Sequence, residues 1–102
     1  MAKIVQKLEY PVNHDQRETY LHIMRAKQAL ALEHDLILSF QVFEDKDAPV
    51  NFIEIFSYAS YEDLQKLSES FFRSEKWQNI IDQLDSIVNW QKSKKNYLLK
   101  VL

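Results

Sequence analysis

Residues 35–44, DLILSFQVFE, and residues 51–59, NFIEIFSYA, are two apolar runs joined by the polar connection 45–50, DKDAPV. In the first run Leu36, Leu38, Phe40 and Val42 alternate with Ile37, Ser39, Gln41 and Phe43. In the second, Phe52, Glu54, Phe56 and Tyr58 alternate with Ile53, Ile55 and Ser57. β-Branched and aromatic residues dominate both runs, which suits pleated strands better than a helix. Asp45, Asp47 and Pro49 interrupt the pattern and predict a hairpin loop rather than a crossover. Neither strand is apolar on one face and polar on the other, so both faces are expected to be covered, at least in part. A chain of 102 residues has too little left over to cover both. A second copy of the chain is the expected cover.

Upstream of the hairpin, residues 2–10 read as a strand with Ile4, Gln6, Leu8 and Tyr10 on one side, ended by Pro11 and Asn13. Residues 16–33 carry a helical period, with Asn13 or Asp15 available as a cap. Tyr20, Ile23, Met24, Lys27, Leu30 and Ala31 share one stripe, and Lys27 is its odd member. Downstream, Ser60 opens a capping-box-like start, followed by Leu64, Leu67 and Phe71 at helical spacing. A second start at Ser74 leads into Trp77, Ile80, Ile81, Leu84, Ile87 and Val88. The pause at residues 72–74 predicts two helical pieces with a bend. Residues 89–95 read as a loop and residues 96–102, NYLLKVL, as a last strand.

The order is therefore β-α-β-β-α-β in one domain spanning residues 1–102, with the second helix split in two. That is an α+β, ferredoxin-like arrangement, an antiparallel sheet with helices on one face. A net charge of −2 gives no electrostatic reason to expect nucleic acid or an anionic membrane as partner. The chain has no cysteine and no glycine, which excludes a disulfide, a thiol nucleophile, a P-loop and a GxGxxG loop. The start, MAKIVQKLEY, lacks the apolar core of a signal peptide, and no apolar run approaches the roughly 18 residues of a membrane span. A cytoplasmic location is the expectation.

Two stretches, FIEIFSYASYEDLQKL and SEKWQNIIDQL, together with the element order, make the chain resemble the dimeric α/β-barrel superfamily, and within it the antibiotic-biosynthesis-monooxygenase-like domains. The resemblance implies a homodimer in which two ferredoxin-like sheets pack face to face as a barrel. It also implies a small-molecule pocket between sheet and helices and, in some members, cofactor-free oxidation of quinol-like or polyketide substrates. Many members carry a histidine a few residues before the serine-x-x-aromatic opening. Phe71 stands there in this chain, and no histidine follows His34. The haem-degrading branch uses a first-strand asparagine, to which Gln6 is the nearest counterpart, plus a later tryptophan and histidine. Haem degradation is therefore not expected.

Glu54 lies between Phe52 and Phe56 on one strand face. A carboxylate stripped of water among aromatics suits a general acid or base. It equally suits a buried glutamate paired with Lys7 or Lys27. Lys27 could hold an anionic substrate, or lay its methylenes over the core and reach out to water. Tyr20, Tyr58, Ser39 and Gln41 complete the candidate pocket as phenols and short polar groups in apolar segments. Tyr10 and Tyr97 are further phenols, and each of these residues has an ordinary packing role as the alternative. His14 and His22 are eight residues apart and show no metal-ligand spacing. No metal and no cofactor are expected. Two functions remain open: a cofactor-independent, monooxygenase-like enzyme for a small planar organic molecule, or a non-catalytic homodimeric ligand-binding or interaction domain.

Overall fold

The computed structural model describes residues 3–102. Strand β1 (Lys3–Pro11) leads through a 3-10 turn at His14–Gln16 into helix α1 (Arg17–Leu32). Strands β2 (Ser39–Glu44) and β3 (Asn51–Tyr58) form the hairpin, followed by helices α2 (Tyr61–Glu69) and α3 (Glu75–Asp85) and strand β4 (Lys94–Lys100). The strands make one antiparallel sheet in the order β2-β3-β1-β4. The expected α+β order is present, with the last helical region split by a 3-10 turn at Phe71–Arg73. Residue 2, assigned to the first strand from sequence, lies outside the described residues. Among these, no helix is long and apolar enough to cross a membrane.

Side-chain oxygens start the two later helices. Ser60 Oγ accepts from the Asp63 amide at 3.2 Å and Ser74 Oγ from the Trp77 amide at 3.3 Å. Such caps contribute about 1 kcal/mol each. Helix α1 has no side-chain cap; neither Asn13 nor Asp15 fills the place expected of it. The first strand of the hairpin begins at Ser39, three residues later than Leu36, because the chain leaving α1 turns at His34. The imidazole Nδ1 of His34 accepts the Leu36 amide there, at 3.2 Å.

The hairpin loop contains a costly backbone. Val50 has a φ of 59°, a conformation that crowds a β-branched residue. Two bonds hold it there: the Val50 amide donates to Glu44 Oε2 at 2.9 Å, and its carbonyl accepts from the Val12 amide at 2.8 Å.

The register divides the sheet into two faces. Tyr10, Phe52, Glu54, Phe56, Tyr58, Phe40 and Ile4 point under the helices and are buried. From above, α1 sends down Tyr20, Ile23, Met24, Lys27 and Ala31, the stripe read from sequence with Leu30 half-buried at its border. Leu67, Trp77, Ile80 and Leu84 close the layer from α2 and α3. Each fully buried aromatic or leucine here contributes roughly 1.5–3 kcal/mol. The opposite face carries Val5, Ile53 and Ile55 half-buried, with Phe43 and Leu98 about half exposed at 46% and 52%. Strand β4 is exposed along its whole length. Tyr97 and Leu99 on its helix side have no cover either.

Candidate functional site

The helix-facing side of β3 places Glu54 opposite Leu8 of β1 and Val42 of β2. The carboxylate is completely buried. Lys27, at the centre of the α1 stripe and 3% exposed, brings its Nζ to 2.7 Å from Glu54 Oε1. The other oxygen, Oε2, accepts a short hydrogen bond of 2.5 Å from the Tyr10 hydroxyl. Tyr20, about two turns before Lys27 on α1, lies 2.7 Å from the same hydroxyl. The proton of Tyr10 goes to the carboxylate, so Tyr20 donates to Tyr10. The result is one chain of hydrogen bonds, Tyr20 to Tyr10 to Glu54 to Lys27, sealed inside the protein.

Aromatic rings wall it in. The Lys27 ammonium lies 5.3 Å from the centre of the Trp77 ring and 5.8 Å from that of Phe40, where a cation gains from the ring faces. Tyr10 packs edge-on against Trp90 at 5.0 Å, and Tyr20 packs on Phe52 at 4.2 Å. Burial pushes both phenols far above the ordinary tyrosine range, with the charge on Glu54 adding to the rise. For Tyr20, the hydrogen bond to Tyr10 acts in the opposite direction. Both phenols are therefore neutral hydrogen-bond donors at neutral pH.

Of the residues singled out from sequence, Glu54, Lys27 and Tyr20 meet in this chain. Tyr58 faces the same layer farther along β3 and donates to Gln6 Oε1 at 2.8 Å. Burial, and then the neighbouring Tyr97, push its phenol up as well. Ser39 and Gln41 are on the opposite sheet face: Ser39 Oγ donates to Ser57 Oγ at 2.8 Å, and Gln41 is exposed. Lys7 shares that face beside Ile55 and cannot reach Glu54. His14 and His22 are both exposed. The link that the residue pattern alone does not single out is Tyr10. Its signal is the alternation Ile4, Gln6, Leu8, Tyr10, which becomes informative once β1 is paired with β3.

Two surface clefts lie near this layer. One, of about 300 Å³, runs between α1 and the edge strand β2 over Leu21, Met24, Val42 and Phe52, with Arg17, Arg25, Gln28 and Glu44 at its rim. The other, of about 1000 Å³, opens at the end of the sheet among Glu9, Asn13, His14, Asn51, Lys92 and Lys94. Neither is lined by a member of the buried chain.

The same architecture occurs in several solved structures. An antibiotic-biosynthesis-monooxygenase-like protein of Nitrosomonas europaea superposes with a TM-score of 0.82 over 97% of this chain and 90% of its own, at 14% identity. A second, from Deinococcus radiodurans, has a TM-score of 0.77 over 93% and 89%, at 12% identity. The fold is that of the antibiotic-biosynthesis-monooxygenase-like proteins. A NIPSNAP family protein of Agrobacterium tumefaciens shares this monooxygenase-like fold, with a TM-score of 0.73 over 97% of this chain and 86% of its own, at 23% identity. No family model matches the chain, and no curated protein matches it in sequence.

Proposed function

We propose that the protein is a homodimeric, monooxygenase-like enzyme that acts on a small planar organic molecule without a cofactor. The observation that carries this reading is the buried chain of Tyr20, Tyr10, Glu54 and Lys27. A buried ion pair adds little stability over apolar side chains of the same volume. A lysine, a glutamate and two phenols brought together under aromatic walls are better suited to handling a proton and an oxyanion. Glu54 would take a proton from an acidic ring carbon or phenol, and Lys27 with the two phenols would hold the resulting anion. Dioxygen is the oxidant: a ring CH2 becomes a carbonyl, and the second oxygen atom leaves as water with the two hydrogens. The substrate reaches Glu54 by taking the place of one of its present partners. The absence of a histidine after His34 means that substrates ionising readily by themselves are preferred.

Dimerisation is supported by the uncovered sheet face, where Val5, Ile53, Ile55, Phe43 and Leu98 run across all four strands. The bare β4 points the same way. Joining two such faces would give an interface of the obligate kind, above about 2,000 Å² in total.

A specific observation favours the second reading, a non-catalytic homodimeric ligand-binding domain. Glu54 Oε1 is already taken by Lys27, Oε2 by Tyr10, and the Tyr10 hydroxyl by Tyr20. Oxygen uptake measured with a panel of hydroquinones and anthrone-type carbon acids, with and without chelator, separates the two. Chelator-insensitive uptake above the uncatalysed rate supports the enzyme; none with any substrate supports the binding domain.

A further inference from the structure

Residues 17, 21, 24, 25 and 28 of α1 are spaced to form one face of the helix, and that face borders the groove along β2. The floor is apolar: Met24 is buried, and Leu21 and Val42 are half-buried beside Phe52. Charge is arranged unevenly around it. Arg17 is occupied, with Glu44 Oε1 at 2.8 Å and Glu18 Oε1 at 3.1 Å. The side-chain amide of Gln28 is used on the Phe40 carbonyl at 3.0 Å. Arg25 makes no ion pair or side-chain hydrogen bond among the described residues, although it stands at the rim of an apolar slot.

From this we infer that the groove between α1 and β2 is a binding site for a planar aromatic carboxylate. The ring lies over Leu21, Met24, Val42 and Phe52, and the carboxylate meets the guanidinium of Arg25. The slot, about 300 Å³, is at the small end of ligand-site volumes, which suits one or two fused rings. A flat ring slides between a helix and a strand where a branched chain does not, and the thioether of Met24 packs well on aromatic carbon. A planar guanidinium matches a carboxylate with two parallel hydrogen bonds. None of the residues involved is a member of the buried chain, although Phe52 packs on Tyr20, so the site stands under either reading of the protein's function.

The test uses 1-naphthoate as probe and the neutral 1-naphthylmethanol as its control, with titration calorimetry and amide chemical shifts on the full chain. Naphthoate is expected to bind at or below concentrations on the order of 1 mM, with shifts centred on Leu21, Arg25 and Val42. Arg25→Gln should weaken naphthoate about tenfold or more, as expected for one charge-assisted pair, and leave the alcohol unchanged. Leu21→Trp, which fills the slot, should remove both. Arg25 is exposed and makes no ion pair among the described residues, so its replacement does not endanger the fold. Three results overturn the assignment: no binding at that concentration, naphthoate affinity untouched by Arg25→Gln, or shifts centred on the cleft at His14 and Lys94.

Discussion

The ammonium of Lys27 and the carboxylate of Glu54, 27 residues apart in sequence, meet at 2.7 Å in a site that water does not reach. Removing either partner alone leaves a buried charge without its counter-ion. Lys27→Met and Glu54→Gln are each expected to cost about 3–5 kcal/mol, while the double variant costs clearly less than the sum of the two. Denaturant melts of the four proteins measure this coupling. Additive losses would mean that the pair does not act as a unit.

Three buried phenols make the protein sensitive to alkali. Tyr10, Tyr20 and Tyr58 are held above their ordinary value of 10.0, so the unfolded chain releases these protons first. Their contribution is complete below pH 10 and declines as pH rises beyond it, by up to about 1.4 kcal/mol per pH unit for each. Stability measured against pH should therefore fall steeply above pH 10, with phenolate absorbance from these three appearing only on unfolding. Tyr10→Phe should make the fall shallower.

Val50 reverses a usual preference. At a φ of 59° alanine retains most of the crowding at Cβ, whereas glycine has none. Val50→Gly is expected to be more stable than Val50→Ala by about 1 kcal/mol, although both lose the buried methyls. Equal melts, or a more stable alanine variant, would show that the loop is not strained.

The uncovered sheet face predicts a particle of twice the 12.2 kDa of one chain by light scattering at micromolar concentration. A charge placed centrally on it, Phe43→Asp or Ile55→Asp, should shift the particle to monomer or unfold it. A monomeric wild type would contradict the homodimer.

The element order, the α1 stripe and the two serine caps were legible because each depends on spacing within one segment. The pairing of Lys27 with Glu54 was legible as one of two alternatives, Lys7 being the other; only the register, which puts Lys7 opposite Ile55, decides between them. Period-two alternation tells which residues share a face but not which face meets the helices. That is why the sequence alone groups Ser39 and Gln41 with Glu54 although they project from the other side of the sheet. Tyr10 was missed as the central link for the same reason. The α1 groove required the distance between a helix and an edge strand, which no local pattern carries.

The central claim, that the buried chain handles the substrate's proton, is tested most directly by initial rates of oxygen uptake with a readily ionised anthrone-type carbon acid. Glu54→Gln alone leaves Lys27 unpaired, so the neutral variant Lys27→Met/Glu54→Gln is compared with wild type once circular dichroism shows both to be folded. Loss of a positioned acid or base typically lowers a rate by about 10²–10⁴. The wild type is expected to exceed the uncatalysed rate and the neutral variant to fall toward it by such a factor. A folded variant as fast as wild type, or a wild type no faster than buffer, would contradict the account.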